Sequence, residues 1–246
     1  AYETVISLHK SGIEIGKIID IREKCSSSLI NQVEKLGIKI LWKHTVVQTS
    51  GYKRIKSIEI MELSENGETV IGNKIKEKCD CLGISGGWTP MVHLFTQSGG
   101  KLKFRKEDNV FIPDLNKTPP DQISVGSCNG DFELEGVVKN TLASVKNFIN
   151  IKSTDLDDLK IICSKQTSKK NIWLLPSDKP LSQTKPFLDF QNDSTAKDVK
   201  LALREGFKSI EHVKRYTTTG MGTDQGKLSN MHALGIIADT TGTNMG

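Results

Sequence analysis

The chain has 246 residues, room for more than one hydrophobic core, because domains commonly run to about 100–200 residues. Its 36% hydrophobic and 26% charged residues describe a globular protein and exclude wholesale disorder, and its apolar runs fall far short of the roughly 20 residues a membrane-spanning helix needs. The formal charge of +5 is spread over interspersed lysines and acids, a solvated mixed surface and not the basic stripe that nucleic-acid binding requires.

In chain order, Tyr2 to Lys10 places Val5, Ile6 and Leu8 on a short helix closed by Gly12, a residue free to take the left-handed backbone that ends helices. Ile13 to Ile21 is rich in β-branched residues and predicts a strand. Cys25 to Leu36, with Leu29, Ile30, Val33 and Leu36 at helical spacing and Gly37 as its stop, predicts a second helix. Three extended segments follow, Ile38 to Thr49, Ile55 to Leu63 and Thr69 to Cys79. They are separated by Ser50-Gly51 and by Glu65-Asn66-Gly67, whose Asn-Gly pair is a strong hairpin signal. Cys81 to Ser85 predicts a short buried strand that leaves its domain through Gly86-Gly87-Trp88. Helix, strand, helix and a β-meander in that order predict an α/β dinucleotide-binding domain.

Ile123 to Gly136 reads as a strand ending in small residues, and Val137 to Ile149 as the helix after it; a glycine turn before a helix N-terminus is a ready anion site. Backbone amides from Gly126 to Gly130 suit a phosphate or ribose and Asp131 suits a hydroxyl, while a tight turn with no ligand explains the same residues. Ile151 to Pro186, polar apart from an island at Ile172 to Leu175, reads as a linker or a strand-bearing connection. The last unit reads as three helices. Ser194 to Asp198 starts the first, Val199, Leu201, Ala202 and Leu203 line it and Gly206 ends it; Ser209 to Tyr216 and Asn230 to Thr240 form the others.

The five cysteines, Cys25, Cys79, Cys81, Cys128 and Cys163, show no C-x-x-C, which predicts reduced thiols in a cytoplasmic protein without a zinc site. Cys79 and Cys81, two apart, are expected on one face of a buried strand. Asp20 and Glu23 stand where many dinucleotide folds place a ribose-binding acid; a solvated strand end is the plainer account, since no G-x-G-x-x-G occurs and any phosphate loop would precede Ala1. No G-x-S-x-G or H-E-x-x-H is present, which argues against hydrolase chemistry.

Three stretches, GISGGWTPMVHLFTQSGGKL (Gly83 to Leu102), SVGSCNGDFELEG (Ser124 to Gly136) and FLDFQNDSTAKDVKLALREGFKSIEHVKRYTTTGMGTDQGKLSN (Phe187 to Asn230), resemble the alpha-subunit family of heterotetrameric sarcosine oxidases. The resemblance covers most of the chain. It implies a two-dinucleotide-domain α/β fold like that of pyridine nucleotide-disulfide reductases, followed by a small all-helical domain, and it implies a fragment. Residues 1–87 would be the second dinucleotide-binding domain, N-terminally truncated, 88–150 the closing segment of the first, 151–186 a linker and 187–246 the helical unit.

That helical unit is similar to the [2Fe-2S] domain related to bacterioferritin-associated ferredoxin, whose pattern is roughly C-x-C-E, a helix pair, then G-M-G-x-C-Q-G-x-x-C. Aligning the shared G-M-G and Q-G places Asp189, Gln191, Asp224 and Ser229 at the four ligand positions. All four thiolates are absent, and carboxylate, amide and hydroxyl are poor substitutes, so no cluster and no metal are expected. The resemblance also implies an FMN at a subunit interface. The glycine-rich turn with Lys214, Arg215, Thr217, Thr218, Thr219, Gly220, Gly222, Thr223, Gln225 and Lys227 suits its phosphate, and a solvated loop at a subunit contact is the plainer reading. NAD is expected at Gly126, Asn129, Gly130 and Asp131.

By the same resemblance no residue here is catalytic. FAD, where the amine is oxidised, and tetrahydrofolate would lie elsewhere in a complex with beta, gamma and delta subunits. The implied activity is oxidative demethylation of sarcosine to glycine with H2O2 and a one-carbon unit passed to tetrahydrofolate. The alternatives are a related flavin-dependent amino-acid dehydrogenase, which would be expected to keep the cluster cysteines, and a cofactor-free interaction scaffold.

Overall fold

The computed structural model describes residues 1–120, 122–149 and 172–245. They form two compact units, one of Ala1–Cys25, Asn31–Gly83 and the described part of Lys170–Met245, the other of Ser26–Ile30 and the described part of Ile84–Lys169. The first begins with α1 (Tyr2–Lys10), β1 (Lys17–Asp20), α2 (Ser28–Lys35) from Asn31 onward, and β2 (Lys39–Trp42). β1 and β2 pair in parallel from Lys17↔Lys39 to Asp20↔Trp42. Parallel neighbours need a crossover and not a tight turn, and α2 supplies it. Ile6, Val33 and Ile38 are buried together, with Val5, Ile15, Ile18 and Ile40 packed against them. Helices of eight and nine residues are marginal in water, so this packing, more than propensity, holds α1 and α2.

The segment expected to run unbroken from Ile38 to Thr49 is two strands. Lys43 takes a left-handed backbone, φ 54°, and its N–H donates to the Arg22 carbonyl at 3.0 Å. The turn at Lys43 frees β3 (His44–Gly51) to join a different sheet, antiparallel, in the order β3, β4 (Ile55–Leu63), β5 (Val70–Lys78). Central β4 buries Ile58, Ile60, Met61 and Leu63. β5 is mostly exposed, and its lysines discourage pairing with a further strand. Lys74 ties β5 to Glu59 of β4 at 3.0 Å and to Asp178 at 2.9 Å. In the predicted Asn-Gly turn, Gly67 sits at φ 69° and the Asn66 side-chain oxygen accepts from Ser64 Oγ and the Glu68 N–H.

The buried strand expected at Cys81 to Ser85 does not form. Pairing of β5 ends near Lys78, and five residues followed by glycines bury too little to order a strand; Ile84 is 76% exposed. Cys79 is half-buried and Cys81 exposed, so the two cysteines do not share a buried face. Burial, then Asp80 and Cys81, pushes the Cys79 thiol upward.

The second unit holds α3 (His93–Gln97), β6 (Leu102–Arg105), β7 (Val110–Pro113), a 3₁₀ turn at Gly126–Asn129 and α4 (Leu134–Ile149). The β6–β7 hairpin is not announced by the sequence reading; Asn109 at φ 54° turns it and the Phe104 and Phe111 rings meet at a tilt, their centroids 5.2 Å apart. The strand expected from Ile123 is absent: Val125 is extended, but it pairs with no strand among the described residues.

The helical part consists of a two-stranded ribbon, β8 (Phe187–Asp189) and β9 (Ser194–Thr195), then α5 (Ala196–Arg204), α6 (Ile210–Thr217) and α7 (Asn230–Thr241). Asp198 reaches back to the Thr195 N–H at 2.8 Å, one half of a capping box, and Gly206 at φ 98° follows the helix end, as the sequence predicts. Leu188, Ala196, Val199, Ala202, Val213, Ala233, Ile236 and Ile237 form the core, its alanines letting the helices approach closely. Trp173, Leu174 and Leu181, from the stretch read as a linker, pack against this core; residues 151–171 of that stretch lie outside the described residues. Gly235 makes room for the indole, since a Cβ there would lie 2.2 Å from Trp173 Cδ2.

Candidate functional site

The last turn of α6 carries Lys214 and Arg215, and Thr218 in the left-handed region, φ 57°, ends the helix. Ser194 Oγ donates to the Thr217 carbonyl, and the Thr217 hydroxyl bonds the Val213 carbonyl and the Thr219 hydroxyl, each at 2.8 Å. Thr218 Oγ1 donates to the Thr217 carbonyl at 2.7 Å. The hydroxyls of Thr217, Thr218 and Thr219 are therefore engaged within the loop.

The side chains aligned with cluster ligands face the loop's backbone. Asp189 Oδ2 accepts from the Gly220 N–H at 2.8 Å, and its Oδ1 from the N–H groups of Gln191 and Asn192 at 2.9 and 3.1 Å. Gln191 Oε1 accepts from both the N–H and the hydroxyl of Thr223, at 2.6 Å each. Asp224 accepts from the N–H groups of Gly226 and Leu228 at 3.2 and 3.1 Å. Burial alone raises the Asp189 carboxyl, but the N–H donors of Gly220, Asn192 and Gln191 outweigh it and hold the group below the usual carboxylate range. Burial lowers the nearby His232 imidazole, which meets Trp173 edge-on at 6.2 Å.

The fourth position behaves differently. Ser229 is 1% exposed and its hydroxyl finds no partner among the described residues. An orphaned buried hydroxyl costs about 1–3 kcal/mol. Ser229→Ala is therefore expected to leave the melting temperature unchanged or raise it. A fall worth more than about 1 kcal/mol would show that the hydroxyl is bonded in solution.

The glycines serve the loop's own packing. A Cβ on Gly220 would lie 2.1 Å from Asn230 Oδ1, and one on Gly222 2.6 Å from Gln191 Oε1. Gln225, at φ 51°, donates to the Gly222 carbonyl at 2.9 Å. What the loop leaves free is cationic: among the described residues the side chains of Lys214, Arg215 and Lys227 form no ion pair or hydrogen bond. Most loop amides are already engaged within the protein, so a phosphate here would have to be held by side-chain charge. Phe190, Met221 and Leu228, on the same loop and the turn it bonds to, are 64%, 47% and 69% exposed.

In the second unit, Gly126 at φ 70° and Gly130 at φ 83° frame the 3₁₀ turn. Asp131 N–H donates to the Gly126 carbonyl at 3.2 Å and the Cys128 thiol to the Val125 carbonyl at 2.9 Å. Asn129 lies half-buried within this turn. Sequence reading missed Arg105, whose guanidinium pairs with Asp108 and donates to the Gly130 carbonyl at 2.5 Å. Gly130 is required there, because a Cβ would lie 2.7 Å from both Arg105 Nη2 and Ile112 Cγ2. Among the described residues, the Arg105 Nε and the Asp131 Oδ2 are buried without hydrogen-bond partners. The alternation of Phe104, Val110 and Ile112 around an Asp-Asn turn was the signal that would have found this hairpin.

Asp20 is neither a solvated strand end nor open to a ribose. Arg22 grips it with Nε at 3.0 Å and Nη2 at 2.7 Å, and the Tyr2 hydroxyl donates to it at 2.7 Å. Burial raises the Asp20 carboxyl, but Arg22 and Tyr2 together hold it low; burial and Asp20 push the Tyr2 phenol upward. Glu23 is exposed.

Fold and sites together define a mixed α/β chain with parts of a two-dinucleotide-domain fold and a small helical unit appended. Its backbone follows that of L-proline dehydrogenase from P. horikoshii with a TM-score of 0.61 over 97% of this chain and 47% of that one, at 20% identity, a likeness of fold. Residues 183–246 match the sarcosine oxidase A3 domain family. The chain is similar along almost its whole length to sarcosine oxidase subunit alpha of Corynebacterium sp. (strain P-1), 29% identical over 98% of this chain and 25% of the relative. The same subunit of Rhizobium meliloti (strain 1021) is 29% identical over 99% of this chain and 23% of the relative. The chain thus spans about a quarter of the length of these curated relatives.

Proposed function

We propose that this chain is part of the alpha subunit of a flavin-dependent oxidoreductase of the sarcosine oxidase type, and that its glycine-rich loop holds the phosphate of an FMN at a contact with a partner subunit. The observation that carries the reading is three cations, Lys214 and Arg215 in the last turn of α6 and Lys227 in the loop, without partners among the described residues, while the loop itself is hydrogen-bonded shut. Exposed Phe190, Met221 and Leu228 beside it support a protein contact. NAD would lie on the turn of Gly126, Asn129, Gly130 and Asp131, with Arg105 supporting Gly130. The assigned regions are 1–87 and 88–150 as parts of the second and first dinucleotide-binding domains, 151–186 as the connection and 187–246 as the helical unit.

In this reading, bound FMN supplies electron acceptance, and this chain's own residues bind and orient its phosphate. Oxidation of sarcosine on FAD, transfer of the one-carbon unit to tetrahydrofolate and assembly with beta, gamma and delta subunits in the cytoplasm complete the proposal. A dehydrogenase that passes electrons through a cluster needs four thiolates where Asp189, Gln191, Asp224 and Ser229 stand, which supports the oxidase.

The test is the double substitution of Lys214 and Lys227 by alanine in the intact complex. Charge-assisted bonds contribute about 1.5–3 kcal/mol each, so FMN affinity should fall by about 100-fold or more while NAD content holds. Unchanged flavin content would remove the reading.

A further inference from the structure

We infer that Asp189 and Gln191 are positioning residues that clamp the cation-bearing loop, having taken over, as hydrogen-bond acceptors, the place where a related domain carries thiolate ligands. For its consequence on FMN the inference rests on the reading above; its geometry does not.

Four features support it. Asp189 is 4% exposed, and its two oxygens accept from Gln191 N–H, Asn192 N–H, the Asn192 amide and Gly220 N–H. The first three bonds shape the β8–β9 turn, and the fourth crosses 31 residues to the loop. Gln191 makes a second crossing of 32 residues, with one oxygen accepting twice from Thr223. Gly222 lacks the Cβ that would strike Gln191, so the loop is shaped to admit that side chain.

The chemistry agrees with the geometry. A carboxylate and an amide oxygen are acceptors, and the loop offers N–H donors to both. Asp224 and Asn192 add their own bonds, Asp224 within the loop and Asn192 to the Thr218 carbonyl at 3.1 Å. The stretch from Thr218 to Thr223, between Lys214 and Arg215 on one side and Lys227 on the other, is therefore held at its start, middle and end by the turn of residues 189–192.

Two variants in the intact complex test this. Asp189→Ala removes both acceptor oxygens, including the one that the Gly220 N–H reaches across 31 residues. Gln191→Ala removes an exposed side chain that the core does not need. In each, the amide facing the missing acceptor, Gly220 or Thr223, should exchange hydrogen about tenfold or more faster, with exchange in α5 and α7 unchanged and FMN retention reduced. Gln191→Glu, which keeps the acceptor, should restore both. Unchanged exchange at Gly220 in the first variant and at Thr223 in the second would overturn the clamp. Faster exchange with FMN fully retained would keep the clamp and overturn the FMN reading instead.

Discussion

Replacing Ile236 by alanine is expected to destabilise the helical part by about 3–5 kcal/mol, the upper range for truncating a buried branched side chain. Ile236 is 2% exposed on α7, and its surroundings in the core include Ala196, Ala202 and Ala233. Alanines have no longer side chain with which to refill a void, so the cavity should persist. The consequence reaches the site, because Ser229 and Asn230 at the start of α7 close the loop that bears Lys227. Urea unfolding followed by the fluorescence of Trp173, which packs on this core, would measure the loss. A change below about 1 kcal/mol would mean that the core collapses around the smaller residue.

Gly51→Ala is the second large effect. Gly51 lies at φ 157°, a region that side-chain-bearing residues rarely enter, and a Cβ there would stand 2.0 Å from the Arg54 carbonyl oxygen. The obstacle is backbone, so no rotamer relieves it. Backbone strain of this kind costs about 1–3 kcal/mol, and the clash adds to it. The register between β3 and β4 already shifts beside Gly51, and the added strain should propagate into β4, whose Ile60 is 0% exposed. Thermal unfolding should show a loss of about 2–4 kcal/mol, with faster amide exchange in β3 and β4. An unchanged melting temperature would show that the turn can adopt another backbone path.

Much of the fold was legible because its signals are local. The ends of α1, α2 and α5 were marked by Gly12, Gly37 and Gly206, all left-handed in the structure, and β4 by its apolar residues. The strand expected at Cys81 failed because an apolar run alone does not provide a pairing partner. The segment from Ile38 divided because one left-handed lysine redirects the chain, and a lysine carries no signal for that backbone. The β6–β7 hairpin was missed, and Arg105 with it, since the Arg105–Gly130 contact joins residues 25 apart.

By itself the sequence determined composition-level facts and absences of chemistry: a mixed, solvated surface, helices with marked stops, a resemblance to sarcosine oxidase alpha subunits, and four ligand positions without thiolates. Only the tertiary structure decided what those positions do instead. Asp189 and Gln191 meet Gly220 and Thr223 across 31 and 32 residues, and among the described residues Ser229 is sealed in without a partner and Lys214, Arg215 and Lys227 are left unpaired. The reason is physical: helix caps and turns are written in neighbouring residues, whereas a hydrogen bond between distant segments exists only once packing has brought donor and acceptor together.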